Sequence, residues 1–211
     1  HYQSGHVFLA GDAAHLFTPL GGLGMNTGIG DVMNLCWKLA AVHQGWAGPR
    51  LIESYEVERR PIGVRNSQLG VRCTRIMDGW VLPPGFEDDS ASADAARRGF
   101  GARIIEEDRA QYLTVGIQLG ERYEHSPIIW PDHDDGGPPD SWDTYTPLDR
   151  PGARAPHFWL APKRAVYDEF GKGLTLIDFG APEGARAFEA AAAMRGVPLK
   201  ILQLKPPDGL Y

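Results

Sequence analysis

The sequence predicts an α/β protein, and three observations carry that reading. A short apolar run, Val7-Phe8-Leu9-Ala10, passes through Gly11-Asp12 and a glycine-rich loop into a long helical pattern. Beyond residue 145 the hydrophobic period changes, and the runs alternate as strand, helix, strand, helix, strand. That order favours parallel pairing in a small α/β domain. Between the two parts lies a Pro-, Gly- and Asp-rich stretch, 131–144. Such a composition buries little apolar surface, so the stretch reads as a linker.

The elements follow in order. Val7 to Ala10 is a strand, and the loop after it is Thr18-Pro19-Leu20-Gly21-Gly22-Leu23-Gly24. A helix runs from near Met25 to about Val42, because Ile29, Val32, Met33, Cys36, Leu39, Ala40 and Val42 recur at three- and four-residue spacing. Gly45 and Gly48-Pro49 end it. A second helix covers Leu51 to Asp78, and Pro61 predicts a break or kink near Arg59-Arg60. Residues 83–94 read as loop, and Arg103 to Tyr123 fits either strand or helix. Past the linker, Phe158-Trp159-Leu160 is a strand and Val166 to Phe170 a short helix closed by Gly171. Leu174 to Phe179 and Leu199 to Leu204 are strands. Between them an Ala-rich helix runs from Glu183 to Arg195, ended by Gly196.

Composition narrows the function classes. The chain has 211 residues, 43% hydrophobic and 23% charged, which suits one or two ordinary globular domains and not a disordered or coiled-coil chain. The net charge of −6 argues against a general nucleic-acid surface. No apolar run approaches the ~18–20 residues of a membrane span. The two cysteines, Cys36 and Cys73, form no CxxC pair. A disulfide framework, a zinc site and a dithiol redox motif are all unsupported, and the expected setting is reducing and cytoplasmic. The chain opens on His1, close to a strand, and stops just after Pro206-Pro207-Asp208-Gly209. Both ends look cut, so the chain reads as a fragment, inactive by itself.

The chemistry concentrates in Gly11-Asp12-Ala13-Ala14-His15, Pro19 and Gly21-Gly22-Leu23-Gly24-Met25-Asn26-Thr27-Gly28. A carboxylate just past a strand sits at the carboxyl edge of a sheet, where open α/β sheets bind ligands. There it can accept hydrogen bonds from sugar-like hydroxyls. Glycines let the backbone approach a flat or anionic group, and a helix start aims free N–H groups and about half a positive charge at it. The G-x-G-x-x-G fingerprint fails because Thr27 takes the third glycine position, and no phosphate-loop pattern is present.

Together, Gly11-Asp12-Ala13-Ala14-His15, Pro19, Gly21 to Asn26, Asp31, Asn34-Leu35 and Trp37-Lys38-Leu39 resemble the second FAD-binding motif of the single-component flavoprotein aromatic (phenol-type) monooxygenases. Leu51 to Pro61 is similar to that family's next helix. Pro151 to His157 and Phe170-Gly171-Lys172-Gly173 look like the start of the thioredoxin-like domain in the phenol-hydroxylase branch. The resemblance implies the C-terminal part of a Rossmann-like FAD-binding domain over 1–130, the linker over 131–144 and an incomplete thioredoxin-like domain over 145–211. It implies FAD as cofactor, NAD(P)H as reductant, and a small aromatic substrate hydroxylated by O2 through a flavin C4a-hydroperoxide. Asp12 would meet a ribityl hydroxyl, Pro19 the C4a side of the isoalloxazine, and the backbone around Gly22, Gly24, Met25 and Asn26 its pyrimidine edge. The catalytic residues are not assigned, and a homodimer is compatible with the reading.

Plainer readings stand beside these. Asp12 alone is also a turn or cap residue. His15 reads as loop packing, Asp31 and Asn34 as groups that satisfy nearby backbone, and Trp37 and Cys36 as core. Arg59-Arg60 read as a solvated or ion-paired face, and His133 with Asp132, Asp134 and Asp135 as acidic linker, not a metal site. Two other functions remain in view: a related flavoenzyme with different oxidative chemistry, and a non-catalytic thioredoxin-like assembly module.

Overall fold

The computed structural model describes residues 1–130 and 137–205. The expectation placed on His133 and its acidic neighbours lies outside the described residues, and among those described no His, Cys, Asp or Glu cluster is arranged to hold a metal. The chain divides into two compact units, His1–Cys36 with Glu53–Arg154, and Trp37–Ile52 with Ala155–Tyr211.

The first unit opens with a two-residue hairpin, β1 (Gln3–Ser4) against β2 (Val7–Phe8). The strand expected over Val7–Ala10 is thus shorter, and Gly11, at φ +59°, turns the chain into a 3-10 turn over Gly11–Ala13. A second such turn, Leu20–Gly22, leads into α1 (Leu23–His43). Helix α2 (Arg50–Asp78) follows and runs through Pro61, so of the break or kink expected there the break does not occur. Pro61 and Val57, whose carbonyl loses its partner N–H there, lie on the exposed side, open to solvent, so the lost bond leaves no buried carbonyl unpaired. Ser90 caps α3 (Ala91–Glu107) by accepting from the Ala93 N–H at 3.2 Å. That helix claims residues 91–94, which read as loop. Short helices α4 (Arg109–Tyr112) and α5 (Val115–Leu119) settle the ambiguous stretch as helical. Leu23, Leu69, Cys73, Ala110 and Ile117 form the buried core, with Phe17, Leu20 and Trp142 packed against it.

Helix α1 is amphipathic in the unexpected sense. Its buried stripe is Leu23, Thr27, Asp31, Asn34, Lys38 and Ala41, while Met25, Ile29, Val32, Met33 and Leu39 are exposed. Cys36, expected in the core, is exposed, and Trp37, also expected there, is 39% exposed and stacked on Trp46. The reason is electrostatic: Thr27, Asp31 and Asn34 of that stripe meet polar and charged side chains of α2.

Part of the expected linker packs on the first unit. Arg65 forms a two-pronged ion pair with Asp140 at 2.6 Å, and the Trp142 carbonyl accepts from the Ile117 N–H. In the second unit, β3 (Trp159–Ala161) pairs antiparallel with β4 (Arg164–Ala165) across a turn in which Lys163 has φ +62°. That hairpin corrects the expected pairing of the first strand, since among the described residues β3 has no parallel partner. A 3-10 turn over Val166–Glu169 precedes β5 (Leu174–Asp178), α6 (Pro182–Met194) and β6 (Leu199–Gln203). β5 and β6 pair in parallel with α6 as their crossover, as the alternation predicted. Asp178, at the end of β5, accepts from the N–H groups of Gly180 and Ala181, which fixes the entry to α6.

Candidate functional site

The Gly11–Ala13 turn faces the first turns of α1 across a cavity of about 490 Å³. Its lining is Ala10, Gly11, Asp12, Gly24, Met25, Gly28, Ile29, Val32 and Met33. Asp12, Gly24 and Met25 are therefore brought together, as their shared motif suggested. Pro19, Gly22 and Asn26 lie on the approach to α1, outside this lining. Pro19 starts the 3-10 turn there, and the Asn26 amide donates to the Gly22 carbonyl at 2.9 Å, which stiffens the loop.

The cavity has one polar end and one apolar wall. The Asp12 carboxylate is exposed, and no described residue donates a side-chain hydrogen bond to it. Met25, Ile29, Val32 and Met33 supply the apolar wall. The floor is bare backbone: a Cβ on Gly28 would stand 3.1 Å from the Gly11 Cα, tight enough to force the turn away from the helix.

Beneath the turn lies a buried polar network. Asp31, fully buried, accepts from the Gly11 N–H at 3.1 Å, from His15 Nε2 at 2.7 Å and from Arg59 Nε at 2.9 Å. The Arg59 guanidinium also reaches Glu121 at 2.6 Å, the Tyr123 hydroxyl at 3.1 Å and the Thr27 carbonyl at 3.2 Å. Arg59 is fully buried and ion-paired, where the sequence left a choice between a solvated and an ion-paired face. Burial alone would weaken its charge, but Glu121, Tyr123 and Asp31 more than offset that and hold it firmly protonated. Tyr55 donates to the Leu9 carbonyl at 2.7 Å. Burial, reinforced by the Asp31 charge, pushes the hydroxyls of Tyr2 and Tyr55 well above the ordinary phenol range. Nearby, Asn34 and Ser126 both donate to Glu58, each at 2.6 Å.

Asp31 takes a backbone N–H as expected, whereas Asn34, expected to satisfy backbone, donates instead to the Glu58 side chain; Arg59, Glu121, Tyr123 and Tyr55 entered no sequence-based site. One signal was available. Tyr55, Ile62, Leu69 and Cys73 recur on one face of α2, and Arg59 and Asn66 fall on the same stripe. A larger groove of about 1090 Å³ runs beside α2, past Gln3, Glu56, Arg60, Arg65 and His125. It lies away from the motif, and Arg65 and Glu56 already pair within the protein.

Residues 1–69 match the FAD binding domain family. The chain is 37% identical over 207 residues to the FAD-dependent monooxygenase opdD of Penicillium oxalicum, covering 94% of this chain and 39% of that protein. It is 56% identical over 256 residues to a putative polyketide hydroxylase of Streptomyces coelicolor, covering 94% and 40% respectively. Among solved structures, the rebeccamycin biosynthetic enzyme RebC with reduced flavin superposes with a TM-score of 0.87 at 39% identity, over 98% of this chain and 38% of that one. The chain is thus similar to FAD-dependent monooxygenases and a putative polyketide hydroxylase, and it spans about two fifths of the length of the relatives it matches.

Proposed function

We propose that the protein carrying this chain is an FAD-dependent monooxygenase that hydroxylates a phenolic or larger aromatic substrate with O2, using NAD(P)H as reductant. The observation that carries the reading is the cavity shared by Asp12 and the first turns of α1, within the segment that matches an FAD binding domain. Its donor set suits a flavin: an exposed carboxylate for polyol hydroxyls, glycine backbone for close approach, and an apolar wall for a flat ring.

Bound FAD would supply acceptance of a hydride from the nicotinamide and transfer of one oxygen atom of O2 to the ring, with the other released as water. The protein's part is placement. Asp12 accepts hydrogen bonds from the polyol chain. The N–H groups of the first turn of α1, at Gly24 to Asn26, carry the positive end of the helix dipole toward negative charge on the ring edge. Pro19 and Gly22 shape the approach. We further infer that the part of the second unit from Ala155 onward, with its parallel β5–α6–β6 pair, is the start of a thioredoxin-like domain.

FAD titration and oxygen uptake test this reading in the full-length protein. A hydrogen bond to a charged acceptor is worth about 1.5–3 kcal/mol, so Asp12→Ala should weaken FAD about 10- to 100-fold. Its melting temperature should hold, because Asp12 is exposed. NAD(P)H-dependent oxygen uptake should rise with a panel of phenols and polycyclic phenols and yield hydroxylated product. Unchanged FAD affinity in the variant removes Asp12 from the site, and uptake that forms only peroxide with every substrate removes the hydroxylase reading.

A further inference from the structure

We propose that Asp31 is a positioning residue for the cofactor, with Arg59 as its charge partner: the pair fixes the backbone of the Gly11–Asp12 turn and thereby sets where the Asp12 carboxylate stands. This rests on the flavin reading of the cavity above, and it assigns a task to residues that do not themselves line that cavity.

Gly11 is in the left-handed region, and the Gly11–Ala13 turn is a single 3-10 turn closed by Ala14 and His15 N–H groups on the Gly11 carbonyl. So short a turn has little rigidity of its own. What holds it comes from the helices beneath. Asp31 Oδ2 takes the Gly11 N–H, and Tyr55 donates to the Leu9 carbonyl two residues earlier. Both anchors sit on helices, and both are fully buried.

A buried carboxylate needs compensation to stay charged and fixed. Arg59 gives it: Nε meets Asp31 Oδ1, while the other end of the guanidinium is clamped by Glu121, Tyr123 and the Thr27 carbonyl. Thr27 lies one turn before Asp31 on α1, so Arg59 grips the helix at two points. His15 Nε2 shares Asp31 Oδ2 with the Gly11 N–H, tying the far end of the motif to the same atom. A one-bond hinge at Gly11 thus becomes a backbone fixed from below. Asn cannot reproduce this, because its amide carries one acceptor oxygen and no charge, and it sets an NH2 group against either Arg59 or the Gly11 N–H.

The test uses the full-length, FAD-loaded protein and three variants: Asp31→Asn, the milder Arg59→Lys, and Glu58→Gln as control. Glu58 is a buried α2 carboxylate that accepts from Asn34 and Ser126. FAD affinity, the visible flavin spectrum and the melting temperature of the flavin-free protein are measured for each. Asp31→Asn is expected to weaken FAD about tenfold or more and to shift the flavin absorption band. Arg59→Lys should give a smaller change in the same direction. Glu58→Gln should lower the melting temperature with FAD affinity held within about twofold. If Asp31→Asn does not fold, Arg59→Lys reads the same quantities. A parent that binds FAD, with Asp31→Asn or Arg59→Lys leaving affinity and spectrum untouched, overturns the positioning role alone. Equal weakening by all three variants also overturns it. A parent that binds no FAD overturns the flavin reading and this inference with it.

Discussion

Arg59 shows what the residues of this unit must balance. It is buried without exposure, yet it touches two carboxylates, a phenol and a backbone carbonyl. Removing one partner from such a set leaves an uncompensated buried charge, which costs about 3–5 kcal/mol. The same burial acts on Tyr2 and Tyr55, whose hydroxyls lie above the ordinary phenol value of 10.0 in the folded protein. The sign follows directly. Below about pH 10 both folded and unfolded chains keep these protons, so they add no pH dependence there. Above it the unfolded chain ionises first, and stability falls as pH rises, by roughly 1 kcal/mol per pH unit for each tyrosine. Denaturant unfolding followed from pH 8 to 11 should show a level region and then a decline, and in the folded protein Tyr2 and Tyr55 should lack phenolate absorbance. Free ionisation of every tyrosine in the folded state would contradict the buried network. Of these residues the sequence made Asp12 legible, because its motif is dense and local. Arg59 was not, because its partners Asp31 and Glu121 lie 28 and 62 positions away.

At the scale of elements, periodicity located the helices but not their inward faces. The apolar stripe of α1 marked a helix correctly, yet the stripe that packs on α2 carries Thr27, Asp31 and Asn34. Hydrophobic pattern alone cannot foresee that, since a polar face is buried only when its partners arrive from another helix. Pro61 does not end α2 for a related reason: its effect depends on whether the freed carbonyl meets solvent or core. The ambiguity between Arg103 and Tyr123 was resolved by tertiary packing, with Ala110 and Ile117 drawn into the core. Local chemistry does decide the start of α3. Ser90 Oγ caps it through the Ala93 N–H, so Ser90→Ala should cost about 1 kcal/mol in denaturant unfolding. No loss beyond a few tenths would show that the cap carries no weight.

At the scale of the whole molecule, alternation of strand and helix made the second unit's parallel β5–β6 pair readable in advance, while the β3–β4 hairpin was not, because a two-residue strand leaves too short a pattern. Along the first unit, one exposed carboxylate, a bare glycine floor and a helix start define a single cavity, and the charges beneath it hold that arrangement. The most direct measurement is a crystal structure of the full-length protein grown with FAD. It should show the polyol chain within hydrogen-bond reach of the Asp12 carboxylate and the isoalloxazine ring beside the first turn of α1, with the Gly11 N–H still on Asp31. A flavin bound elsewhere, or these two elements separated around a different molecule, would contradict the account.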